Sequence, residues 1–267
     1  MTNSLIIPYQ IYEEMPALNE YLDLYESLDR DHYYFFQDHP VPRTSDILSA
    51  MLHNQNLMVW SNRLGRYQHQ DYDEYMQKAA LIGTYVHSCI EKYVLTNTLP
   101  KDGEIPFTIE TYVMNAFNAF LDWWKLINRS HKVKVIYSEK SMVCRFFGGT
   151  LDLLLEIDDV YKVLVDFKSS NYPSFKFFLQ LASYRYMLRE EGINIDKCLV
   201  LMLNKHRPLY MEMILDFNNP EHFQYMNECE KTFLTLVQGY LQRVYIEEKF
   251  TQLFPSRFIG SGGNSDV

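Results

Sequence analysis

The sequence predicts an α/β fold: a mixed sheet flanked by helices. Three observations carry this. Apolar residues recur at spacings of three and four over two long windows before residue 130. The period then changes to alternation and short apolar runs between residues 132 and 167. Helical and strand-like windows alternate again to residue 249. With 267 residues and 47% hydrophobic content, the chain can bury a sizeable core.

Taken in order, residues 1–75 are polar and aromatic without strand patterning, and read as a helical N-terminal extension of short helices and loops. Thr44-Ser45-Asp46 before Ile47-Leu48 reads as a helix start, with a Ser or Asp side chain capping free amides. Ile82, Val86, Ile90 and Tyr93 make one apolar face of a helix from about Tyr72 to Leu95. Tyr112, Ala116, Phe120 and Trp123 do the same between Phe107 and Ile127. Alternation from Lys132 to Cys144 marks a first strand, and Gly148-Gly149 reads as a turn. The runs Leu151–Ile157 and Val160–Phe167, joined by Asp158-Asp159, read as a hairpin. A helix over Ser174–Glu190, strands over Cys198–Leu203 and Leu209–Leu215, and a closing helix from Pro220 to Lys249 complete the order. A core over 76–250 is thus expected, followed by a tail over 251–267 whose glycine- and serine-rich end has linker composition.

Composition narrows the function. A net charge of −9 excludes a protein that coats nucleic acid by overall charge, although clustered carboxylates that hold divalent cations also make a chain acidic. Any nucleic-acid contact then needs a local basic strip: Arg43, Arg63, Arg66, Lys176, Arg185 and Lys205-His206-Arg207 are the candidates, with a solvated loop as the alternative for the last three. The aromatic content of 15%, with 21 Tyr and 17 Phe, suits either a core or a groove on which bases stack. Cys89, Cys144, Cys198 and Cys229 are widely spaced with no C-x-x-C pair, so neither a zinc site nor an iron–sulfur cluster is expected. No secretory signal and no apolar run of membrane-spanning length is evident, which points to a cytoplasmic setting in a bacterium or a phage-infected cell.

Two acids stand inside otherwise apolar strands: Asp152 in Thr150-Leu151-Asp152-Leu153 and Asp166 in Val165-Asp166-Phe167-Lys168. A buried carboxylate costs several kcal/mol unless something pairs with it. Counted from the turn at Asp158-Asp159, the two acids fall at nearly equal distances along paired strands, and so face one another. A divalent cation resolves that repulsion. Lys168 shares the face of Asp166, because strand side chains alternate. Two acids and a lysine at one point suit phosphodiester hydrolysis: the acids hold Mg2+ or Mn2+, and Lys168 orients the attacking water or offsets charge. The backbone carbonyl of Phe167 is a further candidate ligand. Without such company, a D-x-K triplet is more often incidental.

These segments resemble a known family. Gly149-Thr150-Leu151-Asp152, Val165-Asp166-Phe167-Lys168-Ser169-Ser170 and Gln180-Leu181-Ala182-Ser183-Tyr184 are similar, in order and spacing, to the motifs of the RecB-like branch of the PD-(D/E)XK nucleases. Gly83-Thr84-Tyr85-Val86-His87 matches the family's upstream G-x-x-x-H helix, and Glu139 the acid in its preceding strand. Pro42–Leu48 and Trp60–Gly65 resemble the N-terminal region of mitochondrial genome-maintenance exonuclease-like and phage exonuclease-like members. The resemblance implies a restriction-endonuclease-like core. It implies metal binding by His87, Asp152 and Asp166, catalysis by Asp152, Asp166, Lys168 and Glu139, and substrate contacts from Gln180, Tyr184, Ser169, Arg43 and Arg63. It further implies a DNA exonuclease preferring single-stranded ends, acting in replication, recombination or repair, with a helicase or single-strand-binding protein as a possible partner. A flap or branch endonuclease and a silent nuclease fold used for DNA binding or assembly are the alternatives. Taken singly, His87 also reads as a core histidine, Gln180 and Tyr184 as helix packing, and Glu139 as a solvated strand acid.

Overall fold

The fold was analysed in a computed structural model, which describes residues 34–52 and 71–253. Arg63, Arg66, the Trp60–Gly65 segment, most of the N-terminal extension and the tail beyond residue 253 lie outside the described residues.

A short hairpin, β1 (Tyr34–Phe36) and β2 (His39–Val41), precedes α1 (Thr44–Met51). Two long helices follow, α2 (Tyr72–Thr96) and α3 (Phe107–Ser130). Then come β3 (Val133–Val143), β4 (Gly148–Ile157), β5 (Tyr161–Lys168), α4 (Phe175–Glu190), β6 (Lys197–Leu203), β7 (Tyr210–Asp216) and α5 (Pro220–Leu253). The five long strands form one sheet in the order β3-β4-β5-β6-β7. All neighbours are antiparallel except β5 and β6, which α4 joins as a parallel pair. This is the mixed sheet flanked by helices expected of a restriction-endonuclease-like core.

The sheet buries both faces. On one, Val86, Phe117, Phe120 and Trp123 from α2 and α3 pack on Leu153, Val165 and Leu199. On the other, Ile47, Leu181 and Phe233 from α1, α4 and α5 pack on Leu154, Leu164 and Val200. A central strand covered on both sides reads as a continuous apolar run, which is why β5 shows no alternation in sequence. It also explains why Asp166, at 0% exposure, is so conspicuous within it.

Three local expectations are corrected. Residues 34–41 pair as strands rather than forming helices or loops. The start of α1 has no side-chain cap from Ser45 or Asp46; Arg43 occupies the cap position without a side-chain bond. The Thr44 hydroxyl instead donates to the Gly148 carbonyl at 3.1 Å and lies 3.2 Å from the Ser183 hydroxyl, tying α1 to β4 and α4. Gly148 and Gly149 are not a turn but the first residues of β4. They are small because the Tyr34 ring lies on Gly148 and the Tyr184 ring on Gly149. The expected turn at Asp158-Asp159 does form, with positive φ at both residues, as a type I′ turn requires.

A Cβ on Gly148 would stand 2.3 Å from Tyr34 Cγ, an atom at the root of its ring that cannot swing away. A Cβ on Gly83, inside α2, meets only Ser169 Oγ at 3.8 Å. Gly148→Ala should therefore lose about 1–3 kcal/mol of stability to overpacking. Gly83→Ala should gain up to about 1 kcal/mol from helix propensity. Urea titrations of both variants test this, and equal midpoints would contradict the close packing of Tyr34.

Candidate active site

The site forms where the β4–β5 ladder ends and the β3–β4 ladder skips one pair. The β3–β4 register pairs Ser138 with Leu153 and Lys140 with Leu151, leaving Glu139 and Asp152 opposite one another between those pairs. Glu139 has φ 47°, a left-handed conformation within a strand. For a non-glycine residue this costs about 1–3 kcal/mol and persists only where the surroundings impose it. The β4–β5 ladder runs from Ile157↔Tyr161 to Leu153↔Val165. One step further would face Asp152 with Asp166. There, Asp152 Oδ2 accepts a 2.6 Å hydrogen bond from the Phe167 amide. Glu139, Asp152 and Asp166 thus stand in a row across three neighbouring strands.

Helices supply the rest. From α2, His87 Nδ1 lies 3.1 Å from Glu139 Oε1 and 3.6 Å from Asp152 Oδ1. Its ring meets Phe167 edge to face at 5.9 Å, which fixes its orientation. The Phe167 side chain itself belongs to the α2–α3 core. Lys168 Nζ donates to Asp166 Oδ1 at 2.9 Å and to Gln180 Oε1 at 3.0 Å. Gln180 Nε2 in turn donates to the Tyr184 hydroxyl at 2.7 Å. The two residues sit one turn apart on α4 and form a relay that aims Lys168.

Electrostatics show a site short of positive charge. Burial raises the affinity of Asp152 for a proton against the pull of His87 and Lys168. Burial likewise pushes Asp166 up, and the Asp152 charge adds to it. Burial alone would discharge Lys168, but Asp166 and Asp152 outweigh it and keep the ammonium protonated. Burial would also lower His87, yet Asp152 and Glu139 carry it up to about 9. Asp166 Oδ2 is buried with no hydrogen bond, although Lys168 Nζ lies 2.8 Å away, out of line for one.

Could a cation fit? One ligand atom each from His87, Glu139 and Asp152 lie within 4.8 Å of one another. An imidazole and carboxylate oxygens beside an unsatisfied carboxylate oxygen suit a divalent ion. The tight group contains Glu139, which the sequence placed only beside the metal set. Asp166 stands next to this group, paired with Lys168.

The proton on His87 gives a measurable consequence without metal. A histidine whose folded pKa is raised stabilises the fold fully below its unfolded value, near 6.5, and loses that stabilisation as pH rises towards about 9. Its side chain is 29% exposed, so solvent screening reduces the effect. In EDTA, unfolding free energy should fall by on the order of 2 kcal/mol between pH 6.5 and 9, and His87→Gln should flatten that slope. Parallel slopes for the two proteins would remove His87 from the charge balance.

Beside the acids lies a cavity of about 380 Å³ lined by Tyr34, Arg43, Thr44, Thr150, Gln180 and Tyr184. The Tyr34 hydroxyl is 2.7 Å from Thr150 Oγ1, two residues from Asp152. Sequence reasoning missed Tyr34, since nothing local marks one tyrosine among many. Arg43 lines this cavity. Tyr184 is 4% exposed, and its hydroxyl accepts from Gln180. Ser169 is half-buried against Gly83. Two candidate basic contacts are occupied elsewhere. Arg185 is held by Asn227 and Glu230, and Lys176 donates to the Leu52 carbonyl. The four cysteines are free, three of them buried. Among the described residues no helix is long and apolar enough to cross a membrane.

No protein-family model matches the chain, and no curated protein matches it. Among solved structures, it is similar to a phage-related exonuclease of Haemophilus somnus 129PT, at 11% identity and TM-score 0.34, over 78% of this chain and 96% of that one. It is also similar to an alkaline exonuclease of Laribacter hongkongensis, at 11% identity and TM-score 0.35, over 80% and 94%. A protein of Eubacterium rectale matches at 14% identity and TM-score 0.42, over 81% and 86%. At such identities and scores, function rests on the chain's own residues: a row of three strand carboxylates, a histidine beside them, and a charged lysine held in place by a glutamine.

Proposed function

We propose that this protein is a metal-dependent nuclease that hydrolyses phosphodiester bonds in DNA. The observation that carries the reading is the meeting of Glu139, Asp152 and Asp166 with His87 and a buried, protonated Lys168 at one point of the sheet. A structural core gains nothing from crowding like charges there.

His87, Glu139, Asp152 and Asp166, with the Phe167 carbonyl, would hold Mg2+ or Mn2+. When bound, the cation supplies Lewis-acid stabilisation of the phosphate and a more acidic attacking water. Lys168 is charged, so it does not take a proton; it orients that water and offsets the negative charge that grows on phosphorus oxygens. Asp166 and Gln180 hold the ammonium in place for this role, and Tyr184 braces Gln180. Arg43 meets a neighbouring phosphate from the adjoining cavity, and Ser169 follows Lys168 at the same rim. The exonuclease reading, with a preference for single-stranded ends and a role in replication, recombination or repair, rests on the motif resemblance.

Incubation of end-labelled linear and covalently closed circular DNA, single-stranded and duplex, with Mg2+, Mn2+ or EDTA tests this. Metal-dependent loss of linear substrate alone is expected. Cutting of circles as well would make the enzyme an endonuclease. Intact DNA under every metal condition would overturn the nuclease reading.

A further inference from the structure

A second hollow, of about 420 Å³, opens on the other side of Lys168 from the Arg43 cavity. Ser170, Asn171, Tyr172, Asn204, His206 and Tyr210 are among the residues lining it. Its place is set by the sheet. Lys168 pairs with Met202 in the parallel β5–β6 ladder, and Met202 is part of the hollow's wall. The hollow therefore begins one strand spacing from the reacting end, about 5 Å.

Its lining differs from the catalytic cluster. No carboxylate lines it, in a chain of net charge −9. Lys205, next to Asn204, forms no ion pair among the described residues. Amides and a hydroxyl alternate with rings and thioethers. One wall is stiff: the Asn204 amide bonds the Leu209 carbonyl, and Asn204 Oδ1 accepts from the His206 and Arg207 amides. Asn115 holds the Lys205 carbonyl, and His206 meets Tyr112 edge to face at 5.6 Å. The opposite rim carries Tyr172, a residue 80% exposed on a loop braced by a hydrogen bond from the Ser170 hydroxyl to the Tyr172 carbonyl.

A large ring left in water at the mouth of a polar, carboxylate-free hollow earns nothing for folding. It is the surface that stacks a planar heterocycle, with the Asn171 amide beside it to meet the edge of that heterocycle. We infer that this hollow receives one unpaired nucleobase of the strand being cut, with Tyr172 as its stacking platform and Asn171 and His206 at its edge. A base in a duplex is already stacked and paired and does not enter. The hollow therefore selects for unpaired strand immediately beside the scissile phosphate. This inference rests on the nuclease reading.

The test uses the full chain with Mg2+ and single-stranded oligonucleotides in which one abasic nucleotide is moved along the sequence. Wild-type kcat/KM should drop about 5- to 150-fold when the abasic nucleotide falls at one particular position near the cut, the range that loss of one stacked base implies. Tyr172→Ala should lose a similar factor on the unmodified strand and show no further loss at that position. Tyr172→Trp should keep both the rate and the abasic profile. Tyr172 is mostly exposed, so neither change threatens folding. Wild-type rates for Tyr172→Ala, or an unchanged abasic profile in it, would overturn the subsite while leaving the nuclease intact. A wild-type protein that cuts no strand would overturn the nuclease reading, and the subsite with it.

Discussion

Lys168→Ala should lower metal-dependent cleavage by at least about 100-fold while divalent cations still bind. Removing one preorganised donor aimed at developing charge costs about 10²–10³ in rate in well-studied cases. Here the donor is a full cation in a site closed by Phe177, Gln180 and the sheet. The substitution strips Asp166 of its ion pair, and an unpaired buried carboxylate is costly. Asp166 is already held towards its protonated form by burial, so it takes up a proton and the fold survives. Lys168→Arg should not rescue, because a planar guanidinium cannot reproduce the point charge between Asp166 Oδ1 and Gln180 Oε1. Single-turnover cleavage alongside a calorimetric cation titration separates the two effects. Full activity in Lys168→Ala would remove it from the chemistry. Loss of cation binding together with activity would make its role structural.

Asp152→Asn should abolish cation binding and cleavage while making the metal-free protein more stable, by about 0.5–2 kcal/mol. The amide oxygen can keep the bond from the Phe167 amide, and the new NH2 falls on the side of His87 and Glu139, where an acceptor waits. What disappears is a buried charge whose ionised form folding disfavours. The sign follows from that direction. An acid held above its ordinary pKa destabilises the fold at neutral pH, and a neutral isostere does not. Mg2+ should then stabilise the wild type by about 2.7 kcal/mol at one hundred times its dissociation constant, a rise in Tm of roughly 5–10 °C, and leave Asp152→Asn unmoved. Thermal melts of both proteins in EDTA and in Mg2+ read this directly. A variant less stable than wild type in EDTA would mean that Asp152 serves mainly as a structural cap for β5.

The contrast between what was legible in the chain and what was not follows the range of the forces involved. Periodicity is local, so the two long helices, the β4–β5 hairpin with its Asp158-Asp159 turn and the closing helix could be read from neighbouring residues. Asp152, Asp166 and Lys168 stood out because charges inside apolar strands are expensive and demand a reason. Gly148 and Gly149 misled, since a glycine pair signals a turn unless a ring from elsewhere needs the space. For Gly148 that ring belongs to Tyr34, more than a hundred residues away, and for Gly149 to Tyr184 on α4. The hairpin at residues 34–41 escaped because three-residue strands carry too little pattern; the start of α1 was legible, and only its cap was misread, because Arg43 rather than Ser45 or Asp46 takes the cap position.

By itself, the sequence determined the order of elements from α2 onward and singled out the acid–lysine constellation, because both are written in short-range patterning and in the cost of burying charge. Only the tertiary structure decided that Glu139 joins His87 and Asp152 as a tight group, that its backbone turns over to do so, and that Gln180 and Tyr184 hold Lys168. It alone withdrew Arg185 into an ion pair and left Tyr172 exposed beside a hollow. The physical reason is the same in each case. These outcomes depend on which distant side chains meet across a packed sheet, and strand register with helix packing fixes that only once the whole core has closed.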